Sequence, residues 1–247
     1  MNILDGVSWG LIPARGGSKS IRLKNLVPFA GRPLLDYQVL AARGSGRIER
    51  LICSTDSVKI AEHCVTLDIE VHDRPRELSG DNVPVLSVIT HLLNDIDARE
   101  GGVAELIALL HPTSPFLLPS HIAECVDALL THPEAASAQT VIPCPHAHHA
   151  VNQRVIEGGA VAFRYPDKRA RAFNKQRKQQ HYLFGNLVVF RSTALVAQKT
   201  PFPVPSLPVE IAPPYGFDLD VQEDVTMGEL MLEAGVVSLP RGDDTGR

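Results

Sequence analysis

Residues 7–25 read VSWGLIPARGGSKSIRLKN. The run from Val7 to Ile12 is short and apolar and ends in a Gly-rich turn, the pattern of a buried strand that opens into a loop. Gly16 and Gly17 let backbone N–H groups converge on an anion, because glycine can adopt φ > 0 and places no side chain in the way. Arg15, Lys19, Arg22 and Lys24 add positive charge around the same turn. Neither G-x-x-x-x-G-K-[ST] nor G-x-G-x-x-G is present. A phosphate cradle and a solvated loop are therefore both open at this point.

Working outward, apolar runs alternate with amphipathic stretches through the first 140 residues or so. Leu34 to Ala42 has helical spacing and stops at Gly44-Ser45-Gly46, a C-terminal stop signal. Strands are expected at Leu51–Ser54, Ile69–Val71 and Glu105–Leu110. Helices are expected at Ser57–Thr66, capped by Thr55 or Asp56, at Val83–Ile96, and at Pro119–Leu130 with proline at its first turn. Such alternation implies βαβ units: an α/β, doubly wound, mostly parallel sheet with helices on both faces. Ligands of these sheets bind beyond the carboxyl ends of the strands, which directs attention to the loops starting at Pro13, Thr55 and His111.

The pattern changes after about residue 141. Residues 143–185 are rich in His, Arg, Lys and Gln, with a strand at Ala160–Tyr165, and read as an inserted polar lobe within a single domain spanning 1–240. Leu187–Phe190 returns to strand character, and Ser192 is expected to cap a short helix to Lys199. A Pro-rich stretch, 201–214, leads to Gly216-Phe217-Asp218-Leu219-Asp220 and a last helix, Gln222–Ala234. Residues 241–247 are expected to fray.

The chain has 247 residues, 44% of them hydrophobic and 21% charged, which suits one globular α/β domain. A net charge of -4 and only 5% aromatic residues argue against a nucleic-acid partner, which calls for a basic face. No stretch approaches the ~20 apolar residues of a membrane span, and the N-terminus lacks the basic region and apolar run of a signal peptide. Cys53, Cys64, Cys125 and Cys144 form no CxxC pair and read as reduced thiols, so a cytoplasmic location is expected.

Asp218 and Asp220 stand at i and i+2, which on an extended strand points both carboxylates to one face. Such a pair suits Mg²⁺, which takes one or two carboxylates together with substrate phosphate oxygens and water. Acidic residues also favour helix N-termini, the role expected of Glu223 and Asp224. Thr113 and Ser114, after the strongest strand, offer hydroxyls to a polyhydroxylated ligand or simply shape a turn between Pro112 and Pro115. His146, His148 and His149 lack a Cys or carboxylate at matching spacing, which argues against zinc.

Taken together, PARGGSK (13–19), Lys24-Asn25, GRPLL (31–35), Ser54-Thr55-Asp56, Arg74-Pro75 with Asp81, LHPTSP (110–115), Asn186 and Asp218-Leu219-Asp220 resemble the acylneuraminate cytidylyltransferases, also called CMP-sialic acid synthetases. The ordered motifs run from residue 11 to about 234. The resemblance implies a fold of the nucleotide-diphospho-sugar transferase type, a homodimer paired through the lobe, and transfer of CMP from CTP to an acidic 2-keto sugar with Mg²⁺ as cofactor. It further implies that Arg15 and the backbone of Ala14, Gly16, Gly17 and Ser18 hold phosphates, and that Lys24 sits near the α-phosphate. Asn25, Arg74 and Asp81 would bind the nucleotide, while Asp218 and Asp220 would hold the metal. On the acceptor side it implies His111, Thr113, Ser114, Arg177 and Asn186. His111 stands where the family usually carries Gln, so a cytidylyltransferase for another acid, an ulosonate or a small phosphonate, is a second reading. A non-catalytic nucleotide-binding protein of the same fold is a third.

Overall fold

The computed structural model describes residues 1–171 and 180–241. The chain enters through β1 (Ile3–Pro13), a two-residue hairpin of β2 (Pro28–Phe29) and β3 (Arg32–Pro33), and α1 (Leu34–Ser45). Next come β4 (Arg50–Thr55), α2 (Val58–Thr66), β5 (Glu70–Asp73), α3 (Val85–Glu100), β6 (Val103–Leu110) and α4 (Pro119–Thr131). The second half supplies β7 (Ser137–Pro143), β8 (Arg154–Glu157), β9 (Ala160–Phe163), α5 (Pro166–Arg171), β10 (Tyr182–Arg191), α6 (Ser192–Gln198), β11 (Ser206–Glu210) and α7 (Gln222–Glu233).

The main sheet has seven strands in the order β11-β7-β10-β6-β1-β4-β5. Every neighbouring pair is parallel except those made by β10, which runs against both β6 and β7. From β1 the chain winds through α1 to β4 on one side, and later through α3 to β6 on the other. The boundary between β1 and β6 is thus the point where the strand order reverses, and a crevice opens beyond the carboxyl ends of that pair.

The run Val103–Leu110 is almost wholly apolar because both faces of β6 are covered. Leu106, Ala108 and Leu110 pack with Leu35, Val39, Ile60, Ile122 and Leu129 from α1, α2 and α4. Ile107 and Leu109 point the other way, to Ile89, Leu92 and Ile96 of α3 and Leu195 of α6. Each fully buried Leu or Ile here contributes about 1.5–3 kcal/mol relative to exposure. A third cluster lies at the carboxyl edge, where Phe29, Leu34, Tyr37 and Phe116 enclose Leu219 and Val225. It straps the C-terminal segment across the mouth of the crevice.

Local signals set the helix ends, with two corrections. Gly46 ends α1 at φ 61, as the stop signal predicts. The residue that caps α2 is Ser57 rather than Thr55 or Asp56, and its side chain makes no capping bond. Thr55 Oγ1 instead accepts the Ser57 N–H at 3.1 Å, and Asp56 turns toward the first loop. Arg191 rather than Ser192 precedes α6; the Ser192 hydroxyl donates to the carbonyl of Ala104 at 2.7 Å. Between β7 and β10 the polar lobe carries the β8–β9 hairpin, with the guanidiniums of Arg154 and Arg169 over the Phe163 ring at 4.8 and 5.3 Å. Residues 242–247, the rest of the expected frayed tail, lie outside the described residues. No helix among the described residues is long and apolar enough to cross a membrane.

Candidate active site

Two adjoining cavities occupy the crevice. The larger, about 480 Å³, is lined by Arg15, Ser18, Lys19, Lys24, Asn25, Asp81, Thr113 and Asp220, among others. The smaller, about 280 Å³, shares Pro13, Arg15, Asp81 and His111 with it and is otherwise walled by Arg74, Leu78, Gly80, Val83, Val85 and Val88. One chamber is therefore cationic and polar, and the other has apolar walls with one buried arginine.

The first loop is pinned from three sides. The Ala14 N–H donates to the Ser54 carbonyl at 3.0 Å, and Ala14 is fully buried. The Gly16 N–H donates to Asp56 Oδ1 at 2.8 Å, so it is aimed at a carboxylate rather than into the cavity. Asn25 Nδ2 donates to the Arg15 carbonyl at 3.0 Å. Glycine at 16 is required by close approach: a Cβ there would meet Ser57 Cβ at 2.8 Å, and neither Gly16 nor Gly17 has positive φ. Gly17 is exposed with open space around it. Ser18, Lys19 and Ser20 provide the part of the loop that lines the larger cavity.

Asp81 takes Arg15 Nη1 at 2.7 Å and Lys19 Nζ at 2.6 Å. The bonds from Lys19 and Arg15 hold its carboxyl below the usual carboxylate range. Asp81 is thus the shared counter-ion of two cations that line the larger cavity.

The far wall is built by the C-terminal segment. Leu219 is fully buried and its N–H donates to the Thr113 carbonyl at 2.8 Å. Lys24 Nζ donates to the Leu219 carbonyl at 2.9 Å and to Asp220 Oδ1 at 3.0 Å. Asp218 lies on the other side of Leu219 and accepts from the Ser114 hydroxyl at 3.2 Å, while Gln38 Nε2 holds the Ser114 carbonyl at 2.9 Å. This stretch is not a sheet strand, as an i, i+2 reading assumes; a buried leucine between two solvent-facing aspartates sets their placement instead. Asp224 Oδ2 accepts the N–H groups of Asp220 and Val221 at 2.8 and 2.9 Å, the helix-start role expected of it. Among the described residues no group of three or more His, Cys, Asp or Glu side chains could hold a metal by itself. Asp218 and Asp220 are both exposed, and as oxygen donors they would suit a hard cation that completes its shell with substrate oxygens and water; Asp220 lines the larger cavity, whereas Asp218 lines neither.

His111 lines both cavities. Burial lowers its pKa, opposed by the charge of Asp218, so the imidazole is neutral at neutral pH. Arg74 is buried beneath the smaller cavity, its Nη2 on the Ser54 carbonyl at 2.6 Å and its Nε on Ser54 Oγ at 3.2 Å. Of the expected acceptor residues that the structure describes, His111 and Thr113 line the larger cavity, the buried Ser114 lines neither cavity, and nor does Asn186. It is fully buried, donates to His121 Nδ1 at 3.2 Å and to the Tyr215 carbonyl at 3.0 Å, and accepts from Thr140 Oγ1 at 3.1 Å. With its amide so engaged, it braces β10 and lines neither cavity. Arg177 lies outside the described residues.

Gln38, and Asp56 in its bond to the first loop, are not among the expected site residues, although each carries a signal. Asp56 follows the end of β4, the strand beside β1, and so arrives next to the first loop. Gln38 is a fully buried polar side chain in the mostly apolar run LLDYQVLAA, which also buries Asp36.

A sequence profile of the cytidylyltransferase family matches residues 9–185. The chain is 35% identical over 152 residues to an N-acylneuraminate cytidylyltransferase of Oncorhynchus mykiss, covering 62% of this chain and 33% of that protein. It is 27% identical over 219 residues to an N-acylneuraminate cytidylyltransferase of Streptococcus agalactiae serotype V, covering 87% of this chain and 50% of that one. The chain thus spans between a third and a half of the length of these curated relatives. Among solved structures, a CMP:2-keto-3-deoxy-manno-octonic acid synthetase complexed with CTP superposes with a TM-score of 0.69 at 13% identity, over 93% of this chain and 99% of that one. At that identity the likeness speaks for the fold.

Proposed function

The chain belongs to the cytidylyltransferase family, and from that premise we propose that it transfers CMP from CTP to an acidic 2-keto sugar and releases pyrophosphate. The observation that carries this reading is the pairing of Lys24 with Asp220, which sets a cation and a carboxylate together on the wall facing Arg15 and Lys19. The triphosphate lies in the larger cavity, where its oxygens replace Asp81 as the partner of Arg15 and Lys19. Ribose and cytosine extend into the smaller cavity, against Val83 and Val88 and over Arg74.

The anomeric hydroxyl of the acceptor attacks the α-phosphorus. A new P–O bond forms as the bond to the β-phosphate oxygen breaks, pyrophosphate leaves, and the hydroxyl proton is lost to solvent. Lys24 sits where negative charge grows on the α-phosphoryl oxygens, and a fixed donor of that kind acts without reorganising. Arg15 and Lys19 hold the leaving pyrophosphate in line, so most of the protein's contribution is positioning and charge neutralisation. Asp218 and Asp220 would hold Mg²⁺, which would supply further neutralisation of the phosphates when bound. The Ser114–Asp218 and Thr113–Leu219 bonds keep those two carboxylates beside the loop that follows β6.

The acceptor is proposed to be a nonulosonic acid, the class named for the relatives. A second reading keeps CTP and changes the acid; it is favoured by His111, whose neutral imidazole occupies the junction of the two cavities. A homodimer is proposed through the lobe, where Ile156 and Val161 of the hairpin are 77% and 71% exposed. A cytoplasmic location is proposed with this activity. Pyrophosphate release with CTP, Mg²⁺ and a panel of acids tests the reading. Turnover with a nonulosonic acid supports it; turnover only with a different acid replaces it by the second; CTP binding without turnover on any acid leaves a nucleotide-binding protein.

A further inference from the structure

A directional chain of hydrogen bonds runs beneath the smaller cavity. Arg74 donates from Nη2 to the Ser54 carbonyl (2.6 Å) and from Nε to Ser54 Oγ (3.2 Å), and its backbone N–H donates to the Thr55 carbonyl (2.9 Å). A guanidinium has donors only, so Ser54 Oγ is the acceptor and its single proton must point elsewhere. His72 Nδ1 lies 3.1 Å from that oxygen. Taking Nδ1 as the acceptor of that proton makes His72 the neutral tautomer with its own proton on Nε2, the nitrogen facing Asp95 Oδ2 at 3.8 Å. Burial and the neighbouring His91, whose ring centre is 5.3 Å away, both favour the neutral ring. Ser54 is fully buried and His72 is 5% exposed, so water does not compete for these bonds.

The same residue types serve hydrolases, with serine as the nucleophile. That role is closed here, because Ser54 has no exposed surface and its oxygen already accepts from Arg74. What the chain does instead is restrict a long, rotamer-rich side chain. Two of the three guanidinium nitrogens are tied down, Nη1 takes no part in these bonds, and Arg74 forms a wall of the cavity. A pre-set guanidinium loses less freedom when a ligand arrives.

We propose that Ser54 and His72 are positioning residues that aim Arg74 at the nucleotide, and so set affinity for CTP without touching it. The inference rests on the reading that CTP fills these cavities. In the pair His72→Leu and His72→Asn, leucine removes the acceptor while the asparagine oxygen reproduces the position of Nδ1. Calorimetric titration with CTP is expected to show about 10-fold weaker binding for His72→Leu and for Ser54→Ala, and near wild-type affinity for His72→Asn, since about 1.4 kcal/mol corresponds to tenfold. Because both substitutions cut one chain, the Ser54→Ala/His72→Leu double variant is expected to stay near 10-fold rather than reach about 100-fold, the additive value of independent sites.

Unchanged CTP affinity in His72→Leu, or a fully multiplicative double variant, would overturn the proposal. If His72→Leu does not fold, Ser54→Ala carries the test alone, and unchanged affinity in it has the same meaning. Absence of CTP binding by the wild-type protein would overturn the nucleotide reading itself, a result distinct from wild-type binding that the variants leave intact.

Discussion

Lys24 and Asp220, 196 residues apart in the chain, meet with Nζ 3.0 Å from Oδ1, and the same ammonium binds the carbonyl of Leu219 at 2.9 Å. The pair is lopsided: the lysine side chain is 14% exposed and the aspartate 76%. Lys24 is therefore the anchored partner, and Asp220 keeps an open oxygen face toward solvent and the cavity. The contact ties the loop that follows the first strand to the segment that precedes the last helix, closing the site with elements from both ends of the chain.

Asp220→Ala is expected to leave CTP binding largely intact and to lower turnover by about 100-fold or more, through loss of a proposed metal ligand. Folding stability should change little, because exposed ion pairs contribute roughly 0–1 kcal/mol. Pyrophosphate release, CTP titration and a thermal melt on one preparation check all three. Undiminished turnover would remove Asp220 from the metal pair.

Lys24→Met removes a donor aimed at the developing charge. By analogy with loss of one oxyanion donor, kcat should fall by about 10²–10³, with kcat/KM falling in parallel. Steady-state kinetics decide it; an effect confined to KM would mean that Lys24 only holds the ground state.

Gly16→Ala would bring its Cβ to 2.8 Å from Ser57 Cβ, forcing the first loop outward and away from Asp56. A several-fold rise in the KM for CTP is expected. Adding Ser57→Gly removes the opposing carbon and should restore most of the loss. Failure of that second change to rescue would show that the defect is not this contact.

How much of this was legible in the chain differs from element to element. Glu105–Leu110 announces a buried strand, which the structure begins two residues earlier at Val103, and LLDYQVLAA followed by Gly44-Ser45-Gly46 announces a helix and its end. Ser137–Pro143 and Ser206–Glu210 escape the periodicity; the second is an edge strand inside a Pro-rich run, where Pro208 is tolerated because one side of the strand is unpaired. The direction of β10 is a long-range choice between β6 and β7 that no local pattern encodes. At the site, residue types and order brought together Arg15, Lys24, Asp81 and Asp220 on one cavity. The burial of Asn186 and the bond from Gly16 to Asp56 depend on which strands become neighbours, and that is decided by the sheet rather than by the motif.

Stability should also respond to acid through His121. Burial pushes its pKa down to about 4, against an ordinary 6.5. The unfolded chain binds this proton first, so the stabilisation is complete above about pH 6.5 and is lost as pH falls through 4. The full loss amounts to on the order of 3 kcal/mol. Burial shifts His72 and His111 in the same direction. Urea unfolding at pH 7 and pH 4.5, with wild type and His121→Gln, measures it; an equal pH dependence in both would assign the acid sensitivity elsewhere.

The most direct measurement follows phosphorus in the complete reaction. With CTP, Mg²⁺ and a nonulosonic acid, ³¹P NMR should show the α-phosphorus becoming the phosphodiester of a CMP-sugar while pyrophosphate appears in equal amount, both dependent on the acid. Acid-independent formation of CDP and inorganic phosphate, or persistence of intact CTP with every acid supplied, would contradict cytidylyl transfer at this site.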